Sequence, residues 1–185
     1  MKIRVVTGNP HKLLEISKIL APFGISVERL DVKKIEIQDD DVINIAKNAA
    51  EILCPIYGDF IVVEDTGLYI GALGGFPGPY AEYVYRTIGL KGLLKLMEGI
   101  VDRRAVFKCA AAICVEGTVH IFIGETQGYI TREPRGNRGF GYDPVFVPEG
   151  ETLTYAEMDE ETKNKVSHRA KAFTALGNWL ISKFK

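Results

Sequence analysis

The chain has 185 residues, 46% of them hydrophobic and 25% charged, with a net charge of −1. That length suits a single domain, spanning 1–185, that buries roughly 70% of the surface its unfolded chain exposes. The balance of 23 basic against 24 acidic residues argues against a nucleic-acid coat or a polybasic membrane anchor, and no apolar run approaches the roughly 18 residues of a membrane helix.

In chain order, Lys2–Val6 reads as a strand that enters directly, without a signal-peptide core. Thr7-Gly8-Asn9-Pro10 then opens a helix over 10–21, with Pro10 in the first turn and Leu13, Ile16, Ile19 and Leu20 on one apolar face. A second strand is expected over 25–30, a helix over 42–53 behind Asp39-Asp40-Asp41, and a buried strand over 60–64. Five glycines and two prolines between 66 and 80 predict irregular structure. Helices follow at 81–88 and 92–97. Residues 106–115 and 118–125, parted by Glu116-Gly117, form a predicted hairpin, with a further strand at 129–131. A glycine-rich loop over 132–144 and a closing helix over 167–184 complete the chain. Strand–helix alternation followed by a hairpin predicts a mixed sheet in an α/β protein. Three cysteines, Cys54, Cys109 and Cys114, are too few for a disulfide framework and match no zinc spacing, so a reduced, cytoplasmic protein is expected.

Five segments carry candidate chemistry. Backbone N–H groups at the helix start after Thr7-Gly8-Asn9 favour an anion, and Lys12 adds a positive charge; a capped turn with a solvated lysine is the alternative. Glu64-Asp65-Thr66-Gly67 ends the predicted buried strand, where two carboxylates are costly without compensation and suit magnesium, which takes oxygen ligands. A solvent-exposed turn is the other reading. Glu36 lies in an alternating stretch and by itself reads as a wet strand face. Asp39, Asp40 and Asp41 read as caps of the next helix, and Lys47 as a surface residue, with phosphate contact as the alternative. Arg138-Gly139-Phe140-Gly141-Tyr142-Asp143-Pro144 offers aromatics for stacking a flat ring, or for plugging the core. Ser167 is a good N-cap, whereas His168 and Arg169 in a first turn run against the dipole and, with Lys163, suit an anion or an electron-rich base. The run Asp159-Glu160-Glu161 reads as solvated. In one chain these features describe a nucleoside triphosphate site.

The residues in this order resemble the inosine/xanthosine triphosphate pyrophosphatase family, which hydrolyses aberrant purine nucleotides. The resemblance rests on Thr7-Gly8-Asn9 with Lys12, Glu64-Asp65-Thr66, Ala72-Leu73-Gly74-Gly75-Phe76-Pro77-Gly78-Pro79-Tyr80, Phe140-Gly141-Tyr142-Asp143-Pro144, Tyr155-Ala156-Glu157-Met158 and Ser167-His168-Arg169. It implies an elongated mixed sheet with flanking helices and two lobes around a substrate cleft, a homodimer, and Mg2+ as cofactor. The implied reaction is attack of water at the α-phosphorus of ITP, dITP or XTP, giving monophosphate and pyrophosphate.

By position, the resemblance assigns Thr7, Gly8, Asn9, Pro10, His11 and Lys12 to triphosphate binding, with His11 only as part of the loop. Glu36 and Asp65 become metal ligands, Asp65 also the catalytic proton acceptor, and Thr66 a substrate contact. Phe140, Gly141, Tyr142 and Asp143 hold the base, with Phe140 stacking, joined by Lys163, His168 and Arg169. Asp39 stands as a competing ligand to Glu36, because Gln38-Asp39 replaces the Gln-Gly of some relatives. Donors reading a 6-keto edge reject adenine, whose amino group leaves them unpaired; guanine shares that edge and is not excluded by it. A septum-inhibitor-type pyrophosphatase for modified pyrimidines and a non-catalytic nucleotide sensor are the rival readings.

Overall fold

A computed structural model describes residues 1–184. Its strands are β1 (Lys2–Val6), β2 (Ser26–Arg29), β3 (Ile61–Ile70), β4 (Pro77–Gly78), β5 (Arg104–Val115), β6 (Thr118–Ile130) and β7 (Phe146–Pro148). Its helices are α1 (Pro10–Leu20), α2 (Val42–Tyr57), α3 (Ala81–Thr87), α4 (Gly89–Leu96), α5 (Glu160–Val166) and α6 (His168–Phe184). The sheet runs β2-β1-β3-β5-β6-β7, with β4 on the edge of β3. β1 pairs parallel with β2 and β3, and the remaining pairings are antiparallel. The expected mixed α/β sheet with flanking helices is present.

Side-chain alternation along the strands builds the layers. Val62 of β3 and Cys109, Ala111, Ile113 and Val115 of β5 pack beneath α1 and α6. Their neighbours Ile61, Val63, Ala110, Ala112 and Cys114 face α2 on the opposite side. Continuous apolar sequence in β5 therefore reflects a strand covered on both faces. A third cluster, Leu68, Ile70, Phe107 and Ile130 with Leu93, Met97, Phe146 and Tyr155, forms the second lobe. β3 and β5 contribute to the cores of both lobes and pair continuously from Val62–Ile113 to Ile70–Ala105.

The structure departs from the sequence reading at several places, among them the short strands β4 and β7. β3 does not stop at Glu64 but continues to Ile70, because β5 supplies a partner for every residue of that stretch. β6 likewise runs unbroken to Ile130, absorbing the separate strand expected at 129–131. Asp159, Glu160 and Glu161 are exposed, as expected, but they open a helix, Glu160–Val166, that the sequence reading does not place: Asp159 caps it, accepting from the Thr162 N–H at 2.7 Å. Finally, Cys54 and Cys114 form a disulfide, since the last turns of α2 pack over the end of β5 and bring the two Cα atoms to 5.7 Å. Cys109 is free and buried. Among the described residues no helix is long and apolar enough to cross a membrane.

Candidate active site

β1 ends at Val6, opposite Val63, while β3 continues alongside β5. β4 reaches only Leu68 and Tyr69. Residues 64–67 therefore have a strand neighbour on one side only, and a cavity of about 870 Å³ opens along the uncovered edge. Thr7, Gly8, Asn9, Pro10, Lys12, Glu36, Asp65 and Thr66 line it, as do Phe140, Gly141, Tyr142, Asp143, His168 and Arg169. His11 and Lys163 line an adjoining cavity of about 510 Å³, which also touches Phe140. Residues from all five segments thus meet around two contiguous spaces.

The turn after β1 is built by Asn9, whose side-chain oxygen accepts from the N–H groups of His11 at 2.9 Å and Lys12 at 3.4 Å. Thr7 Oγ1 accepts from the Asn9 N–H at 3.1 Å. The turn is therefore fixed before any ligand arrives, which lowers the ordering cost of binding.

Glu64 is a buried hub on the α6 side of β3. Lys12 Nζ lies 3.0 Å from its Oε2, Arg169 Nη2 lies 3.2 Å from its Oε1, and the Thr66 hydroxyl also donates to it. Burial pushes its pKa up, but the Lys12 and Arg169 charges outweigh that and hold the carboxyl well below the usual range. Arg169 also meets Glu15 at 2.6 Å, and Glu15 shares Lys163 with Asp143 at 2.6 and 2.8 Å. Opposite charges close at short range in a desolvated site, where such pairs are strong and a lone member is costly.

Asp65, one residue on, projects to the other side of the strand. There Lys34 Nζ lies 3.5 Å from Asp65 Oδ1 and 2.5 Å from Glu36 Oε1. Burial raises the Asp65 pKa to about 6 against the lowering pull of Lys34 and Lys12. An ammonium thus lies between two carboxylates, whose hard oxygen donors are of the type magnesium takes. Among the described residues no three His, Cys, Asp or Glu side chains converge as a complete metal cage, so a magnesium here would be completed by water and phosphate oxygens. Asp39, the competing ligand, is engaged elsewhere: it accepts from the Asp41 N–H at 2.8 Å and from Asn44 at 3.2 Å, at the start of α2. Asp41 is that helix's N-cap. Lys47 is exposed, near Glu51.

The glycine-flanked loop turns through positive φ at Gly139 and Gly141, and the Phe140 N–H donates to Asp143 Oδ2 at 3.0 Å. The Phe140 ring has Lys163 Nζ 5.2 Å and Arg169 Cζ 5.7 Å from its centroid. His11 stacks on it with centroids 5.3 Å apart, a contact for which the sequence gives no signal. Tyr142 lines the cavity, but its hydroxyl donates to the Ala81 carbonyl at 2.7 Å and so anchors α3. α6 starts where the Ala170 N–H donates to Ser167 Oγ at 3.1 Å. Gly124 of β6 makes that position attainable, because a Cβ there would overlap the His168 carbonyl and the Ala172 nitrogen. His168 is stacked on Phe107, centroids 4.5 Å apart. Burial, aided by Arg169 and Lys163, holds its pKa well below the usual range. The expected pair of cations at this helix start is therefore a neutral imidazole beside one charged guanidinium. Glu15 and Lys34 were not singled out in the sequence; Glu15 falls one turn after Lys12 on α1, and Lys34 lies two residues before Glu36 on one face of an extended stretch.

Residues 3–179 match the model of the Ham1 family. A protein of Pyrobaculum aerophilum named dITP/XTP pyrophosphatase is 70% identical over 99% of this chain and 98% of its own length. One of the same name from Pyrococcus horikoshii is 46% identical over 97% of each. Among solved structures, a HAM1 protein from Coxiella burnetii superposes with a TM-score of 0.86 at 29% identity, covering 98% of this chain and 99% of that one.

Proposed function

The chain belongs to the Ham1 family, and from that premise we propose that it is a nucleoside triphosphate pyrophosphatase acting on dITP, ITP and XTP. It hydrolyses them to the monophosphate and pyrophosphate, with magnesium, and so clears them from the nucleotide pool. The observation that carries this reading is the convergence of three unlike parts on one cleft: the β1–α1 turn with Lys12, the Glu36–Asp65 carboxylates, and the Phe140 loop. Its support from relatives is that proteins 70% and 46% identical to this chain over nearly its whole length bear the name dITP/XTP pyrophosphatase.

Glu36 and Asp65 would hold the magnesium, which when bound supplies positive charge beside the phosphate oxygens. The N–H groups of the β1–α1 turn and Lys12 bind and orient the triphosphate and offset charge on the departing pyrophosphate. Asp65, which lines the cleft beside the triphosphate-binding turn, accepts the proton of the attacking water. Phe140 stacks against the base, while Lys163, His168 and Arg169 read its polar edge. The enzyme works in the cytoplasm as a homodimer.

The test is product analysis from inosine, xanthosine, guanosine and adenosine triphosphates, with magnesium and with chelator. Metal-dependent release of pyrophosphate with the monophosphate from the first two is the expected result. Orthophosphate would mean attack at the γ-phosphorus, and tight binding without turnover would mean a sensor. Light scattering on the purified protein tests the dimer.

A further inference from the structure

Lys34 sits between the two carboxylates proposed to hold the metal, and nothing in the reaction outlined above uses it. It arises from the irregular segment between β2 and α2, where alternation puts it on the same side as Glu36. Its ammonium contacts Glu36 at 2.5 Å and Asp65 at 3.5 Å and donates to the Glu64 carbonyl at 3.1 Å. The side chain is largely buried, with 17% of its surface exposed, yet it lines the cleft. The other cations of the site answer to different partners: Lys12 to Glu64, Arg169 to Glu64 and Glu15, Lys163 to Glu15 and Asp143. Among the described residues Lys34 is the one basic side chain in ion-pair contact with Glu36 and Asp65.

We propose that Lys34 is the resident counter-cation of the Glu36–Asp65 pair: it holds the two carboxylates together in the metal-free protein, and a divalent cation must displace its ammonium in order to bind. The inference rests on reading that pair as the metal site. Two cations cannot share the same carboxylate oxygens without strong repulsion, so metal affinity is set by competition with a tethered lysine. A lysine suits the task, being a point charge on a flexible four-carbon stem that can turn aside. Lys34 is on this view a positioning residue, acting through the carboxylates rather than on the substrate.

The test is binding of Mn2+ alone to the full chain, followed by electron paramagnetic resonance of the free ion. Lys34→Met, which keeps the stem and removes the charge, is expected to bind Mn2+ about tenfold more tightly than the unaltered protein. In chelator its unfolding temperature falls, and Mn2+ raises that temperature by more than in the unaltered protein. Should Lys34→Met fold poorly, Lys34→Gln, which retains a donor for the Glu64 carbonyl, is expected to show the same tightening. Equal or weaker Mn2+ binding in a folded variant overturns the proposal. The metal site itself is checked separately: if the Glu36→Gln/Asp65→Asn double variant binds Mn2+ as well as the unaltered protein, the assignment of those ligands fails and the role of Lys34 fails with it.

Discussion

Glu64 and Asp65 are adjacent on one strand and have opposite circumstances. Glu64 points toward α6, into a set of partners that includes Lys12, Arg169 and Thr66, and its charge is held firmly. Asp65 points across the sheet toward the segment before α2, where Lys34 is its one ion-pair partner among the described residues and burial raises its pKa to about 6. The pleat alone separates them, since successive side chains of a strand leave by opposite faces. One carboxylate becomes part of the scaffold that fixes the cations of the cleft, and its neighbour keeps a basicity suited to the metal-holding and proton-accepting roles proposed for it. Local sequence, two acids in a row, is the same for both; the difference lies entirely in what the fold delivers to each face.

Exchanging the carboxylates for amides separates the two roles most sharply. Asp65→Asn is expected to lower turnover by about a thousandfold or more while leaving the unfolding transition and nucleotide binding nearly intact; loss of folding would make Asp65 a structural residue and erase the contrast. Glu64→Gln is expected to show the reverse priority, a stability loss of about 3 kcal/mol from stranding Arg169 and Lys12, read as a shifted urea midpoint. An undisturbed midpoint would mean that the hub is not one. Further from both carboxylates, Phe140→Ala is expected to raise KM by about tenfold with little change in kcat or urea midpoint, and an unchanged KM would remove the stacking role.

The smallest effect concerns the Glu64 side through His168. Its imidazole is held neutral in the fold, with a pKa below the unfolded value. As pH falls below about 6.5, the unfolded chain binds a proton that the folded chain does not, and stability drops by up to about 1.4 kcal/mol per pH unit from this group. His168→Gln is expected to remove that contribution, so that urea midpoints at pH 7.5 and 5.5 differ less in the variant than in the unaltered protein.

Legibility in the sequence followed locality. β1 was readable to the residue, and α1 and α2 at their starts, because Pro10, Asn9 and Asp41 announce helix entry through their own chemistry. β3 reads as a shorter strand than it is, since two acids and Gly67 interrupt the apolar run and only the β5 ladder carries the strand onward. α5 lacks the apolar face that a periodicity reading needs, and Lys163 and Val166 gain their surroundings from distant elements. The site residues were readable as motifs, but their pairing was not. Lys12 reads as a phosphate ligand, whereas its partner Glu64 lies across a strand junction; Lys34 reads as one charge in a mixed run. The Cys54–Cys114 link joins residues 60 positions apart and no local signal reports it.

The strands shared by the two lobes constrain how the cleft could open. Proteins that close around a ligand by hinge motion do so at a few loop or element-terminal residues that absorb the rotation. Here β3 and β5 run through both cores in continuous register, from Val62–Ile113 to Ile70–Ala105, and the β5–β6 ladder extends alongside from Val115–Thr118 to Arg104–Tyr129. Opening the cleft by swinging the lobes would flex hydrogen-bonded strands together, as a leaf spring flexes, with restoring force distributed along the ladder. Large excursions are thereby disfavoured, and adjustment to different ligands falls to the turns and side chains at the rim.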